Sequence, residues 1–328
     1  MNRALFQKII FAWFEKHGRV LPWRVKNHED AQRMSGVRET LATYFTKAWR
    51  RDPYRVIVSE LMLQQTQVDR VLPKFEHFIK RWPTVLDLSR AKLSEVMIEW
   101  QGLGYNRRAR FLHEMAKRVV EKYNGVFPQT ETELRTLPGI GEYTARAVLA
   151  FAYGQDIGVI DTNIKRIFAR VELGVEANAI PISPKEFQSF IDFSVPKHHG
   201  DPWNQALMDF GALVCTAKSP KCDHCPAKTL CIAQRIAEEY RVKTYAEFLK
   251  TPHRNQQKKQ SIPFEQTNRY FRGRIVDKLR ESPIHMEELR MHMETNHGLS
   301  SRKKFGEIIE SLVLDKLIYI RGSRASLD

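Results

Sequence analysis

The sequence predicts a mainly α-helical protein that carries a small second domain at its C-terminal end. Three observations support this: apolar residues at three- and four-residue spacing from Tyr54 to Tyr123, prolines at intervals suited to helices of one to four turns, and a polar, basic stretch at 250–262 beyond which a new apolar pattern begins. With 328 residues, 42% hydrophobic and 28% charged, the chain can bury a sizeable core, and its length suits two domains. Lys and Arg number 53 against 38 Asp and Glu, a net charge of +15 that points to a polyanionic partner, nucleic acid first. The apolar run from Ile9 to Phe14 is short, flanked by Lys8 and Glu15, and lacks a small-residue cleavage site, so the expectation is a cytoplasmic protein that does not enter a membrane.

Taken in order, residues 25–52 form a polar insert with its own helical stretch, Ala31 to Arg51, ending in Lys47, Arg50 and Arg51. Val58, Leu61 and Met62, then Val71, Phe75, Phe78 and Ile79, supply core faces to two successive helices. Between a helix ending near Leu134 and another running from Tyr143 to Tyr153 lies Leu137-Pro138-Gly139-Ile140-Gly141. Gly139 and Gly141 allow a tight turn that aims free N–H groups at one phosphate, a grip on a nucleic-acid backbone that ignores sequence. Alone the pattern is weak, because any tight interhelical turn can use it. Next, Gly158-Val159-Ile160-Asp161-Thr162-Asn163 leads into an amphipathic helix from Ile164 to Val171, and by itself Asp161 or Asn163 reads as its cap.

The four cysteines of the chain, Cys215, Cys222, Cys225 and Cys231, are spaced C-x6-C-x2-C-x5-C. Thiols packed this closely converge on one soft metal centre rather than staple distant loops. Zinc and iron-sulfur both accept four thiolates, and the spacing departs from the usual zinc pattern of two C-x2-C pairs, which favours iron-sulfur. Residues 236–262 then read as a linker, leaving 1–235 as the main body. Residues 263–328 give three short helices, marked by Phe271, Ile275, Leu279, by Met286, Leu289, Met293 and by Phe305, Ile308, Leu312, followed by a strand at Leu317 to Ile320. That order suggests a winged helix, which binds nucleic acid or docks protein. Between Arg241 and Asp328 there are 18 Lys or Arg against 11 Asp or Glu, so the tail shares the basic surplus.

Together the glycine hairpin, the following Asp and the cysteine loop resemble the helix-hairpin-helix DNA glycosylases of the endonuclease III and MutY superfamily, over residues 4–235. Within it, Leu21-Pro22-Trp23-Arg24, the run Ser59 to Val68 with Glu60, Gln64, Gln65 and Gln67, Gly102-Leu103-Gly104-Tyr105, and Asn204-Gln205-Ala206-Leu207-Met208-Asp209 are similar to the adenine-removing MutY branch. The resemblance implies a 4Fe-4S cluster on the four cysteines and a base-excision enzyme acting, as a monomer associated with the nucleoid, on double-stranded DNA holding a mismatch or an oxidised guanine.

It also implies roles. Glu60 would protonate adenine at N7, and Asp161 would stabilise the positive sugar, as a pair of carboxylates does in glycoside hydrolysis. The base must first be flipped out of the duplex; Gln65 and Tyr105 match residues that wedge into the gap, and Trp23, Arg24 and Gln205 match positions lining the base pocket. Gln64 and Asn163 fall beside these as DNA-contacting positions. Two residues after Gly141 the strand-cutting branch carries a lysine that forms a Schiff base; Tyr143 stands there and cannot form an imine, so the base should be removed and the strand left whole. Two readings stand beside adenine excision: a thymine or uracil mismatch glycosylase on the same scaffold, and an iron-sulfur DNA-binding protein without turnover. The sequence departs from the family at its end, because residues 263–328 are too few and too helical for the Nudix-like 8-oxoguanine reader, and the tail is expected to act as a basic, sequence-indifferent DNA grip.

Overall fold

In the computed structural model, residues 2–24, 51–248 and 262–328 are described. Their helices, in chain order, are α1 (Arg3–His17), α2 (Pro53–Leu63), α3 (Val68–Arg81), α4 (Val85–Arg90), α5 (Leu93–Glu99), α6 (Arg107–Tyr123), α7 (Glu131–Leu134), α8 (Glu142–Phe151), α9 (Thr162–Glu172), α10 (Pro184–Ser194), α11 (Gly200–Leu213), α12 (Ile232–Glu239), α13 (Tyr245–Phe248), α14 (Asn268–Leu279), α15 (Met286–His297) and α16 (Arg302–Leu314). Three short strands complete the fold: β1 (Ile284–His285), β2 (Tyr319–Arg321) and β3 (Arg324–Ser326). Most of the expected insert lies outside the described residues. The last residue of its expected helical stretch, Arg51, is buried and not helical, and it pairs with Asp201 at 2.8 Å. Among the described residues no helix is long and apolar enough to cross a membrane.

The chain divides into two compact units, each built from separated stretches. One comprises Met1–Val56, Gln129–Glu131 and Gly141–Gln257, the other Ile57–Pro128, Thr132–Ile140 and Lys258–Asp328. This differs from the boundaries expected from sequence, since the C-terminal residues group with the 57–128 stretch. Of the expected linker, 236–248 belongs to the first unit and 249–261 lies outside the described residues. α12 and α13 continue the first unit through Phe248, with Ala233, Ala237 and Tyr245 packed together and fully shielded from solvent. Composition hid this, because two alanines and one tyrosine give no visible apolar period.

The core of the first unit is aromatic. Phe6, Ile10 and Phe14 on α1 meet Ile164, Ile167 and Phe168 on α9 and Trp203, Leu207 and Phe210 on α11. Phe6 lies edge-on to both Phe168 and Trp203, with ring centroids 6.1 and 6.0 Å away, a favoured aromatic geometry. In the second unit the predicted face of α3, Val71, Phe75, Phe78 and Ile79, is buried, as are Leu112, Met115 and Val119 on α6. Pro73 lies inside α3 rather than at an end, which removes one helical hydrogen bond; burial of the four apolar neighbours keeps the helix intact.

The tail has the predicted three helices, and its strands form an antiparallel sheet in the order β1-β3-β2, with Ala325 paired to both Ile284 and Ile320. It is a winged helix. Phe271, Ile275, Leu289, Met293, Ile308, Leu312 and Ile318 form its core.

Candidate active site

Asp161 stands at the N-terminus of α9 and caps it, its Oδ1 accepting from the Ile164 N–H at 2.6 Å. The capping role that sequence suggests is therefore real, and it fixes the carboxylate. Oδ2 accepts from Asn163 Nδ2 at 2.8 Å, and Asn163 Oδ1 accepts in turn from Arg166 Nη2 at 2.7 Å. Arg166 also donates to the carbonyls of Gly211 and Cys215, both at 2.7 Å, tying the Asp161 carboxylate to α11 and to the first cysteine. Gly211 is required there, since a Cβ would lie 2.5 Å from Asn163 Cβ. Asp161 keeps an edge open to solvent, yet the surrounding protein raises its pKa; burial is the main cause, and the three hydrogen-bond donors oppose it.

The segment entering Asp161 is neither helix nor strand, so side chains satisfy much of its backbone. Asn204 accepts from the Val159 N–H at 2.8 Å and donates to the Ile157 carbonyl at 2.9 Å. Arg146 donates to the Gly158 carbonyl at 2.9 Å, while Asp192 accepts from the Gly158 N–H at 2.8 Å. These residues explain part of the Asn204 to Asp209 motif as scaffolding. Asp209, fully buried, accepts from Arg24 and Arg19 at 2.6 to 2.9 Å. Burial opposes its charge, but Arg24 and Arg19 more than offset this and hold its pKa below the usual value. Arg24, expected beside the base, thus braces the Leu21–Arg24 segment against α11. Trp23 is buried, and Gln205, also buried, hydrogen-bonds to Asp201. Tyr143 is half-buried on the first turn of α8.

In the second unit, Glu60 lies on α2 with 8% of its surface exposed, enough to place its carboxyl among protein atoms rather than on a solvated helix face. Gln65, exposed, and Tyr105, half-buried, both adopt left-handed backbone conformations, with φ of 56° and 48°. Each such non-glycine residue costs on the order of 1 kcal/mol or more and persists only where its surroundings impose it. Arg108 imposes it. Buried on α6, its Nη1 donates to the carbonyls of Leu61, Met62 and Gln64 at 2.6 to 2.9 Å, and its Nη2 to Thr66 Oγ1, Leu103 and Gly104 at 2.9 to 3.1 Å. One guanidinium joins both turns, and burial brings its pKa down to about 10. Sequence reasoning missed Arg108, although a charge on the face of Leu112, Met115 and Val119 was a signal.

At the hairpin, Gly139 has φ of +77° and a Cβ there would meet Phe111 Cβ at 2.7 Å, so glycine is required twice over. Gly141 is the N-cap of α8, lacks a side-chain capping bond and has open space about its Cα, leaving the first-turn N–H groups accessible.

The four cysteines are half-buried and in no disulfide. Short turns join them, the N–H of Cys225 bonding the Cys222 carbonyl at 3.3 Å. Burial, and after it the neighbouring sulfurs, pushes Cys225 up to about 12 and Cys231 up to about 11. The buried Arg170 lies 3.6 Å from Cys215 Sγ. Among the described residues no three His, Cys, Asp or Glu converge on a single metal-ion position. The donor set suits a polynuclear centre, in which each thiolate binds its own iron and the iron charge offsets the repulsion among thiolates.

Comparison with known proteins identifies the lineage. A model of the HhH-GPD superfamily of base excision DNA repair proteins matches residues 58–189. An adenine DNA glycosylase of Mycobacterium tuberculosis is 33% identical over 94% of this chain and 88% of its own length. The chain belongs to the adenine DNA glycosylase family of that superfamily. The human adenine DNA glycosylase is 39% identical over 240 residues, and the rat one 39% over 236. The chain covers 40% and 42% of these two relatives, less than half of either. A solved thermostable thymine-DNA glycosylase superposes with a TM-score of 0.60 at 26% identity, over 71% of this chain and 97% of that one. An endonuclease III–DNA complex shares the fold at a TM-score of 0.55 and 20% identity, covering 73% and 99%. The glycosylase family thus accounts for the mainly helical body, while the Arg108 brace and the Asp161 network are this chain's own contacts.

Proposed function

We propose that this protein removes adenine from mispaired double-stranded DNA by hydrolysing its N-glycosidic bond and leaves the strand intact. The observation that carries this reading is the Asp161 carboxylate, aimed by Ile164 N–H and Asn163, in a chain with adenine glycosylase relatives at 33% and 39% identity. With the base flipped out, Glu60 donates its proton to N7 as the C1′–N9 bond breaks, so the electron pair leaves on a neutral base. Asp161 stabilises the positive charge on the sugar, water adds to C1′, and the proton that water releases restores Glu60. Gln65 and Tyr105 hold the gap, and the N–H groups after Gly141 grip a phosphate. Tyr143 offers no amine, so no imine forms. Cys215, Cys222, Cys225 and Cys231 would hold a 4Fe-4S cluster that fixes the loop adjoining Arg170. The thymine-DNA glycosylase likeness supports a second reading, T:G repair, at lower identity.

The test is excision by purified protein on A:8-oxoG, A:G, T:G and U:G duplexes. Adenine release with no strand break until alkali is added is expected; release of thymine or uracil alone overturns the reading. Iron and sulfide in anaerobic preparations, with absorbance near roughly 400 nm, are expected of the cluster, and stoichiometric zinc without iron excludes it.

A further inference from the structure

A cleft of about 910 Å³ opens within the second unit between the wedge turns and α14 of the winged helix. Gln65, Tyr105, Arg70 and Arg107 line it from one side, and Arg269 and Arg274 from the other. The two sides are fastened together. Arg280 donates to the Met97 carbonyl at 2.9 Å and to Asn106 Oδ1 at 3.0 Å, beside Tyr105, and Arg107 approaches Asp315 at 3.6 Å. The tail is thus anchored on the very turn that carries the wedge tyrosine.

Most charges of the cleft are engaged in holding it together, and Arg70 and Arg269 stand apart. Asp277, its one lining acid, is engaged by Arg280 and Arg274. Arg70 and Arg269 are exposed and pair with no carboxylate among the described residues. Instead, the Arg269 guanidinium lies 3.8 Å over the Tyr105 ring and 5.6 Å from that of Phe264. A planar cation stacked on an aromatic ring, with the unpaired Arg70 nearby and Arg274 only loosely paired with Asp277 at 3.6 Å, offers the two things a nucleotide unit needs: a flat platform for its base and cations for its phosphate.

We propose that this cleft holds one DNA nucleotide next to the gap opened by the wedge, its base against the Tyr105–Arg269 stack and its phosphate on Arg70 and Arg274. The winged helix is then part of the damage-recognition site, which departs from the sequence-indifferent grip its basic composition suggests. This rests on the reading of Gln65 and Tyr105 as a DNA wedge.

The test uses the full chain and two short duplexes that cannot be cleaved, one fully paired and one with a stable abasic analogue opposite guanine. Arg269→Ala is expected to weaken the abasic-analogue duplex by about tenfold, the scale of one lost stacking contact, and the paired duplex by less than about threefold. Arg269→Lys restores charge without the plane, and should recover the paired duplex but not the other. Arg70→Ala should weaken both alike and reduce the slope of log affinity against log salt by about 0.9. Equal loss on both duplexes for Arg269→Ala, or full recovery of both by lysine, reduces the tail to a charged grip and overturns the proposal. Unchanged affinity in both alanine variants removes DNA from the cleft altogether. Excision by the unaltered protein is measured alongside: its absence counts against adenine hydrolysis, while the affinity ratio still decides the cleft.

Discussion

The Asp161 segment and the paired turns carrying Gln65 and Tyr105 are held in opposite ways. Asp161 is aimed by groups two and three residues further along, its own helix and Asn163. The turns carrying Gln65 and Tyr105 adopt unfavourable backbone angles and share one guanidinium, that of Arg108, some 44 residues from Gln64. A locally held group can lose its chemistry and keep its fold. A group held from a distance cannot, because the same contacts serve stability and geometry.

Asp161→Asn is the sharpest way to break that comparison, and the largest effect is expected there. Asparagine caps a helix about as well as aspartate, so the fold should persist, while excision falls by about 100-fold to 1,000-fold for want of the negative charge. Stability supplies a second check. Because the folded pKa of Asp161 is raised, its neutral form is favoured by folding; that benefit is complete below the ordinary aspartate value and lost as pH rises through the raised one. The variant should therefore melt at or above the temperature of the unaltered protein near neutral pH. A clear fall in melting temperature would mean that the ionised carboxylate stabilises the helix more than its burial costs.

Arg108→Met should do the reverse, with stability lost first. It takes the guanidinium from the carbonyls of Leu61 and Met62, while Leu103 and Gly104 keep Thr66 and Trp100 as donors, and urea unfolding should register a loss of about 3 kcal/mol, since each buried acceptor left unsatisfied costs about 1–3 kcal/mol. Affinity for an abasic-analogue duplex should fall with it. A stable variant that still binds would show that the turns hold their left-handed angles unaided.

The smallest effect expected is that of Asn163→Ala, which sharpens the local side of the comparison. Removing one donor to the Asp161 carboxylate is worth about 1–1.5 kcal/mol, or roughly tenfold in single-turnover excision, with DNA affinity unchanged. Loss of affinity instead would assign Asn163 to DNA contact rather than to aiming Asp161.

Much of this was legible in advance. The three- and four-residue apolar spacing located α2 and α3, the glycine pair marked a turn that Gly139 alone can make, and the tail pattern anticipated three helices and a wing. The start of α9 was also readable, since an N-cap bond spans three residues. Unforeseen were the helices at 236–248, where alanines pack without a visible period, and the pairing of Arg24 with Asp209, 185 residues away.

What the sequence determined by itself is whatever short-range spacing encodes: helix faces, the hairpin, the cysteine loop and the family they mark. The tertiary structure alone decided that Arg108 joins two turns, that Arg166 links Asp161 to the Cys215 carbonyl, and that Arg269 of the tail covers Tyr105. The physical reason is the nature of the partners. Arg108 and Arg166 are satisfied largely by backbone carbonyls, which every residue possesses, so the pairing leaves no complementary letter in the sequence to read.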